Sequence, residues 1–267
     1  MGRLRSIANS WTLDRGREES VKVAAIQYRP PKGCPSRARH EIAKLIDAAG
    51  EQGAGLIVCP EMATTGYIWP DQQSLRPHAE PPSGATFELL SELARAHQAW
   101  IVCGYVELGQ VGTEAGDRLY NAALVVGPSG SLVASYRKVL LYDADHLWAQ
   151  PGESRLLVET SWGQLVPGIC MDLNDPGFIG LLHQRQPSLV AFCTNWIEEG
   201  IDVCSYWKER LAGWSGTFVA ANSWGTDGPT RFSGRSLILG PRGRVLAPAA
   251  PEGDCVLIGE VADSRPR

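Results

Sequence analysis

The chain has 267 residues, 44% hydrophobic and 20% charged, with 29 acidic against 25 basic side chains and a formal net charge of −4. That apolar fraction excludes a disordered chain, the apolar runs are far too short for a membrane span, and the mild acidity excludes a nucleic-acid binder working through a basic surface. At this length folding buries roughly three quarters of the unfolded chain's surface, so a core needs neither disulfides nor a structural metal.

In chain order, residues 1–20 carry Arg3, Arg5, Arg15 and Arg17 without the hydrophobic core of a secretory signal, and read as an N-terminal arm, mobile or strapped down. Residues 21–267 read as a single domain. Val21–Gln27 is rich in β-branched residues and predicts a strand. Arg37–Gln52 places Ile42, Leu45, Ile46 and Ala49 on one helical face, with Gly53 as its stop. Gly55–Cys59 is a short continuous apolar run, the pattern of a strand buried on both faces. Thr86–His97 predicts a second amphipathic helix and Trp100–Val106 a strand. Tyr120–Val126 and Leu132–Tyr136 form a hairpin around the turn at Gly127–Ser131.

The second half repeats the alternation. Strands are expected at Leu165–Ile169, Leu189–Cys193, Phe218–Ala221, Ser236–Leu239 and Val245–Leu246, and helices at Phe178–Arg185 and Tyr206–Trp214. With no linker between the halves, the pattern predicts an α/β protein in which two mixed sheets pack face to face with helices outside, an α-β-β-α sandwich.

The seven cysteines are odd in number and show no C-x-x-C spacing. Cys59, Cys103 and Cys193 lie in apolar runs and read as buried small hydrophobes, as suits the reducing cytoplasm. Cys170 is different. It ends the strand Leu165–Ile169, with Gly168 two residues before it and polar residues after, a strand–turn–helix pattern similar to a nucleophile elbow. Glu61 follows a buried strand, where Pro60 marks the strand's end, and ligand sites gather at the carboxyl ends of strands in α/β sheets. Lys138 follows the hairpin. Taken singly, Glu61 and Lys138 also fit solvated charges at strand ends, and Cys170 an inert buried thiol.

Together the motifs Pro60-Glu61, Tyr136-Arg137-Lys138 and Gly168-Ile169-Cys170-Met171-Asp172 stand in one order, each at a strand end. With Ala24–Gln27, Thr65-Gly66-Tyr67, Pro151-Gly152, Ala220–Gly225 and Phe232–Ser236, this order resembles the nitrilase superfamily of carbon–nitrogen hydrolases from about Val21 to about Val261. The resemblance implies that Cys170 is a nucleophile, Glu61 its general base, and Lys138 with the Met171 N–H the holders of the oxyanion, with no metal or organic cofactor. Lys138 is expected to lower the Cys170 pKa, and burial to raise that of Glu61. Many members carry a second Glu between the Lys and the Pro-Gly. Here Val139–Gln150 has none, which leaves Asp145 or His146 as the substitute.

The stretches GICMDLN and YDADHLWAQPG resemble the protein N-terminal amidase branch, which deamidates N-terminal Asn or Gln. The expected substrate is a small-molecule amide or a peptide N-terminus, with Tyr67, Asp145, Met171, Asn195 and Trp196 binding it. No Arg follows Cys170 to clamp a carboxylate, whereas Asp172, Asp175, Glu198, Glu199 and Asp202 are expected to form an acidic recess for a cationic amine, unless the two glutamates are a solvated face. A nitrile, an N-carbamoyl-amine, acyl transfer to an amine, and a non-catalytic binding protein are the alternatives. The resemblance also implies a homodimer, with Phe178, Ile179, Leu181 and Leu182 as contacts or as plain core.

Overall fold

A computed structural model of the chain describes residues 3–7, 20–109 and 118–261. The first half runs β1 (Arg3–Ile7), β2 (Val21–Gln27), α1 (Pro35–Glu51), β3 (Ala54–Val58), the short α2 (Gln72–Leu75), α3 (Ala85–His97), β4 (Trp100–Leu108), β5 (Leu119–Val126) and β6 (Leu132–Arg137). The second half runs β7 (Ser154–Thr160), β8 (Gly163–Ile169), α4 (Pro176–Arg185), β9 (Leu189–Thr194), α5 (Val203–Arg210), β10 (Thr217–Asn222), β11 (Trp224–Asp227), β12 (Thr230–Ser233), β13 (Leu237–Gly240), β14 (Arg244–Pro248) and β15 (Cys255–Val261).

These strands form a six-stranded sheet in the order β15-β2-β3-β4-β5-β6, a seven-stranded sheet in the order β1-β7-β8-β9-β10-β13-β14, and the two-stranded ribbon β11-β12. Both large sheets are mixed: β2, β3 and β4 run parallel, as do β8, β9 and β10, while the flanking pairs β4-β5, β5-β6 and β10-β13 are antiparallel. Strand alternation sorts the side chains into layers. From β2, Val23 and Ala25 point between the sheets to join Ile169, Ala191, Val219 and Ile238 of the other sheet. Ala24 and Ile26 point outward, beneath Ile42 and Ile46 of α1 and Leu90 and Ala94 of α3. On the far side Val166, Val190 and Phe218 lie under Phe178 and Leu182 of α4 and Trp207 of α5. The architecture is the α-β-β-α sandwich, with its core in three layers.

Several boundaries differ from the sequence reading, each for a local reason. α4 begins two residues early because Asp175 caps it, accepting from Gly177 N (3.0 Å) and Phe178 N (3.2 Å). α5 begins at Val203 and ends at Arg210, displaced from the expected Tyr206–Trp214, because Asp202 accepts from Ser205 N at 2.9 Å. Strand β7 and strand β15 were not read from sequence. Nor was β1, which lies within the expected arm and pairs in parallel with β7, Arg3 opposite Ser154 through Ile7 opposite Val158. The remainder of residues 1–20, apart from Ser20, lies outside the described residues. No described helix is long and apolar enough to cross a membrane.

Candidate active site

Three chain turns bring the candidate side chains to one end of the inter-sheet layer. After β3, Cys59 N bonds Val102 O (2.8 Å), and the next turn is drawn onto β4 by Gly104 N to Pro60 O (3.1 Å) and Ala63 N to Gly104 O (2.9 Å). Gly104 is needed for that approach: a Cβ there would lie 2.4 Å from Pro60 O and 2.5 Å from the Glu61 Cα. Glu61 is thereby turned inward and is fully buried. Lys138 follows β6, held by its own N–H to Asn121 O (2.8 Å) and by Gly152 N to its carbonyl (2.7 Å), and it too is fully buried. Cys170 follows β8 in the left-handed region, with φ 43°, a strained conformation for a non-glycine residue that costs about 1–3 kcal/mol. A short 3-10 turn, Cys170–Asn174, then leads to α4.

The structure joins these groups into one network. Lys138 Nζ donates to Glu61 Oε1 (2.8 Å) and to Asp145 Oδ2 (2.6 Å). Asn121 Nδ2 bridges the same two carboxylates, at 2.7 Å from Glu61 Oε1 and 3.1 Å from Asp145 Oδ1. The second Glu61 oxygen accepts from Asn195 N at 2.8 Å, and Asn195 Nδ2 donates to the Glu61 carbonyl at 2.9 Å. Tyr142 N fixes Asp145 from behind at 2.9 Å. Lys138 Nζ also stands 5.8 Å from the centre of the buried Tyr67 ring. Of the two substitutes for the second carboxylate, Asp145 is buried on the lysine, whereas His146 is exposed.

Electrostatics follow from burial. Desolvation raises the Glu61 pKa above the usual carboxylate range, with Lys138 opposing and Asp145 reinforcing. Burial disfavours the Lys138 ammonium, yet Asp145 and Glu61 hold its pKa well above an ordinary lysine's. Cys170 corrects the sequence expectation: burial, then the Glu61 charge, push its thiol up to about 12, and the lowering effect of Lys138 is outweighed. The thiol therefore rests protonated, and any attack by sulfur needs its proton removed as the bond forms.

Cys170 opens into a cavity of about 230 Å³ lined by Tyr67, Tyr142, Met171, Asn174, Asn195, Trp196, Ile197, Glu199, Ile201 and Tyr206. Four of the five expected substrate-binding residues thus line it, and the fifth, Asp145, sits behind on Lys138. A larger cavity of about 640 Å³, lined in part by Glu107, Tyr120, Arg137 and Arg155, contains none of Glu61, Lys138 and Cys170. Among the described residues, no group of three or more His, Cys, Asp or Glu side chains is placed to hold a metal ion.

The expected acidic recess shrinks to one residue. Asp172 is fully buried and turned away, accepting from Tyr136 Oη (2.7 Å) and from the backbone N–H groups of Ile169, Val139 and Leu140 (each 3.0 Å). Asp175 caps α4 and pairs with Arg155, Asp202 caps α5, and Glu198 pairs with Arg231 at 2.8 Å. Glu199 alone of the five lines the cavity. Phe178, Leu181 and Leu182 are buried within this chain's own core, and Ile179 is half-buried beside them.

Asn121 was missed from sequence, although a signal was there. It is the single polar residue in the buried run Leu119–Val126, and an amide so placed must find hydrogen-bond partners.

A strand-end thiol stands beside a buried glutamate and lysine within a four-layer sandwich. The carbon-nitrogen hydrolase model matches residues 22–265, and the chain belongs to that family, hydrolases of carbon–nitrogen bonds other than peptide bonds. The chain is 29% identical over 247 residues to a nitrilase of Pyrococcus abyssi, covering 90% of this chain and 89% of that one. It is 24% identical over 262 residues to a protein N-terminal amidase of Schizosaccharomyces pombe, covering 82% and 91%. The crystal structure of an amidase from Nesterenkonia sp. superposes with a TM-score of 0.78 at 24% identity, covering 92% of each chain, and shares the fold.

Proposed function

We propose that the protein is a cysteine-dependent amidohydrolase that converts a primary amide to a carboxylate and ammonia through a thioester on Cys170. The observation that carries this reading is the buried Glu61–Lys138–Asp145 network set against a protonated thiol in a left-handed turn on the wall of a small cavity. Glu61, with its raised pKa, takes the thiol proton as sulfur attacks the carbonyl carbon. Lys138, kept cationic by two carboxylates, faces the developing oxyanion together with the Met171 N–H, and such a donor is worth about 10²–10³ in rate. Glu61 then delivers its proton to the departing nitrogen and deprotonates the water that opens the thioester. Asp145 holds Lys138 and does not meet substrate.

The cavity supports a small acyl group, since about 230 Å³ is less than the ~300–1,000 Å³ of sites for drug-sized ligands. Its aromatic walls and the single carboxylate of Glu199 suit a substrate with a cationic amine near the mouth, as the N-terminal residue of a peptide would have. A homodimer in the cytoplasm belongs to the same reading.

Ammonia release is measured over propionamide, phenylacetamide, their nitriles, an N-carbamoyl-amine, and Asn- and Gln-initiated peptides with free and acetylated amino groups. Amides outpacing nitriles, with loss of turnover in a folded Cys170→Ala, is the expected result. Silence across the panel from folded protein with an alkylatable Cys170 would sink the enzyme reading. Equal rates on free and acetylated peptides would remove ammonium recognition while leaving the amidase in place.

A further inference from the structure

A second cavity, of about 480 Å³, meets the first at Tyr67 and Asn195, which line both. Its other walls include Arg29, Lys32, Ser223, Trp224, Asp227 and Phe232. Tyr67 Oη and Asn195 Oδ1, on the two residues that line both cavities, and Ser223 Oγ, on a residue that lines the second, have no hydrogen-bond partner among the described residues, and each of the three residues is 2% exposed. Buried polar atoms of this kind call for a small polar guest, and three of them match the two to four partners of a buried water.

The chemistry of the three atoms narrows the guest. Bonds from its main-chain N–H and Nδ2 to Glu61 fix the orientation of Asn195, and its Oδ1, an amide oxygen, can only accept, so the guest must donate to it. Tyr67 and Ser223 can donate or accept. Water and ammonia fit this set, and so does an amine. The position fits as well, because Asn195 touches the Glu61 carboxylate, the group that would exchange protons with both. The front cavity, filled by the acyl group of a thioester, offers no such place. Lys32 pairs with Asp227 and Arg37 with Glu41, which leaves Arg29 as a surplus positive charge on the rear wall, unfavourable to retaining ammonium.

We propose that this rear chamber is the nucleophile side of the site: the attacking water is held at Tyr67, Asn195 and Ser223, ammonia departs past the same atoms, and a small amine can take the water's place. The inference rests on the amidase reading. In acylation Glu61 takes the thiol proton as sulfur bonds to the carbonyl carbon, then the carbon–nitrogen bond breaks and nitrogen takes that proton from Glu61. In deacylation the water oxygen bonds to the thioester carbon, Glu61 takes one water proton, the carbon–sulfur bond breaks, and that proton passes to sulfur.

The test uses the amide turned over fastest in the panel above, with hydroxylamine as competing nucleophile, and reads hydroxamate against free acid. Such a ratio does not depend on how much enzyme is folded. Ser223→Ala removes one of the holders, and hydroxylamine, with N–H and O–H groups to donate, depends on it less than water does, so the ratio is expected to rise, by up to about tenfold if water alone loses one hydrogen bond of roughly 1.4 kcal/mol. Thr226→Trp, at an exposed strand position on the chamber wall, narrows the entrance and is expected to cut transfer to O-benzylhydroxylamine about tenfold relative to hydroxylamine. Product formation with both ratios as in wild type overturns the chamber. Folded wild-type enzyme that releases neither ammonia nor hydroxamate overturns the amidase reading and the chamber with it.

Discussion

Two fully buried aspartates, Asp145 and Asp172, stand on either side of the segment that carries Lys138, and they are stabilised by opposite means. Asp145 meets a cation at 2.6 Å, shares Asn121 with Glu61, and belongs to a cluster whose charges set one another's protonation. Asp172 meets no cation by hydrogen bond. Four neutral donors hold it, one from Tyr136 and three from the backbone at Val139, Leu140 and Ile169, so it ties the residues after Lys138 to the residue before Cys170. In the proposed mechanism the first region supplies reactivity and the second fixes where that reactivity points. The same side chain, equally buried, can therefore serve either purpose, and its partners decide which.

Removing the cation breaks the first region most severely. Lys138→Met leaves Glu61 and Asp145 buried without a counter-charge, and breaking such a pair costs about 3–5 kcal/mol. Activity is expected to fall by about 10³-fold or more with the oxyanion donor gone. The sign of the pH dependence follows. Without Lys138 the folded-state pKa of Glu61, already raised by burial, rises further, so its neutral form favours the fold at low pH and that stability is lost as pH rises through the raised value. Melting temperature should increase from pH 8 to pH 5 in the variant, and a flat profile would mean that the pair does not depend on Lys138. In the second region, Asp172→Ala orphans four donors and is expected to cost about 3 kcal/mol, with Asp172→Asn costing less because its amide oxygen still accepts. Denaturant unfolding of the two variants separates them, and equal losses would argue that the charge rather than the acceptors matters at Asp172.

The two regions also mark what could be read from sequence. Strands buried on both faces announce themselves as continuous apolar runs, so β2, β3, β4, β9 and the buried end of β8 were legible, and with β3 and β8 the strand ends that carry Glu61 and Cys170. Asp145 was named because its place in the chain matched a missing glutamate. Asp172 was placed wrongly, in the pocket, because two residues from a nucleophile says nothing about direction: the 3-10 turn after Cys170 swings it back into the fold. The ion pair between Glu61 and Lys138, 77 residues apart, and the protonated state of the thiol are products of tertiary burial that no local pattern records. The same holds for β1 and β7, whose half-polar segments become strands through the neighbours they pair with.

The finest distinction between the regions is carried by the pH profile. In the proposed mechanism Glu61 must be ionised in the free enzyme to act as base, and its pKa is raised by burial and by the Asp145 charge, so the acid limb of kcat/KM should lie above the ordinary glutamate value of about 4.3. Asp145→Asn is close in shape, keeps an oxygen for Tyr142 N, and removes one of the charges that raise Glu61. It also leaves Lys138 to pair with Glu61 alone, and both changes favour the glutamate anion. The acid limb is therefore expected to move to lower pH while kcat/KM on the plateau falls, by about tenfold if the lysine's placement loosens by one charge-assisted hydrogen bond. Asp172 has no hydrogen bond to Glu61 or Lys138 and feels the lysine's charge only from a distance, so Asp172→Asn should move the limb far less than Asp145→Asn does. A limb that moves equally in both variants would erase the distinction between a charged region and a positioning one, and a limb that moves upward in Asp145→Asn would show that Asp145 acts on Glu61 through Lys138's position rather than through its charge.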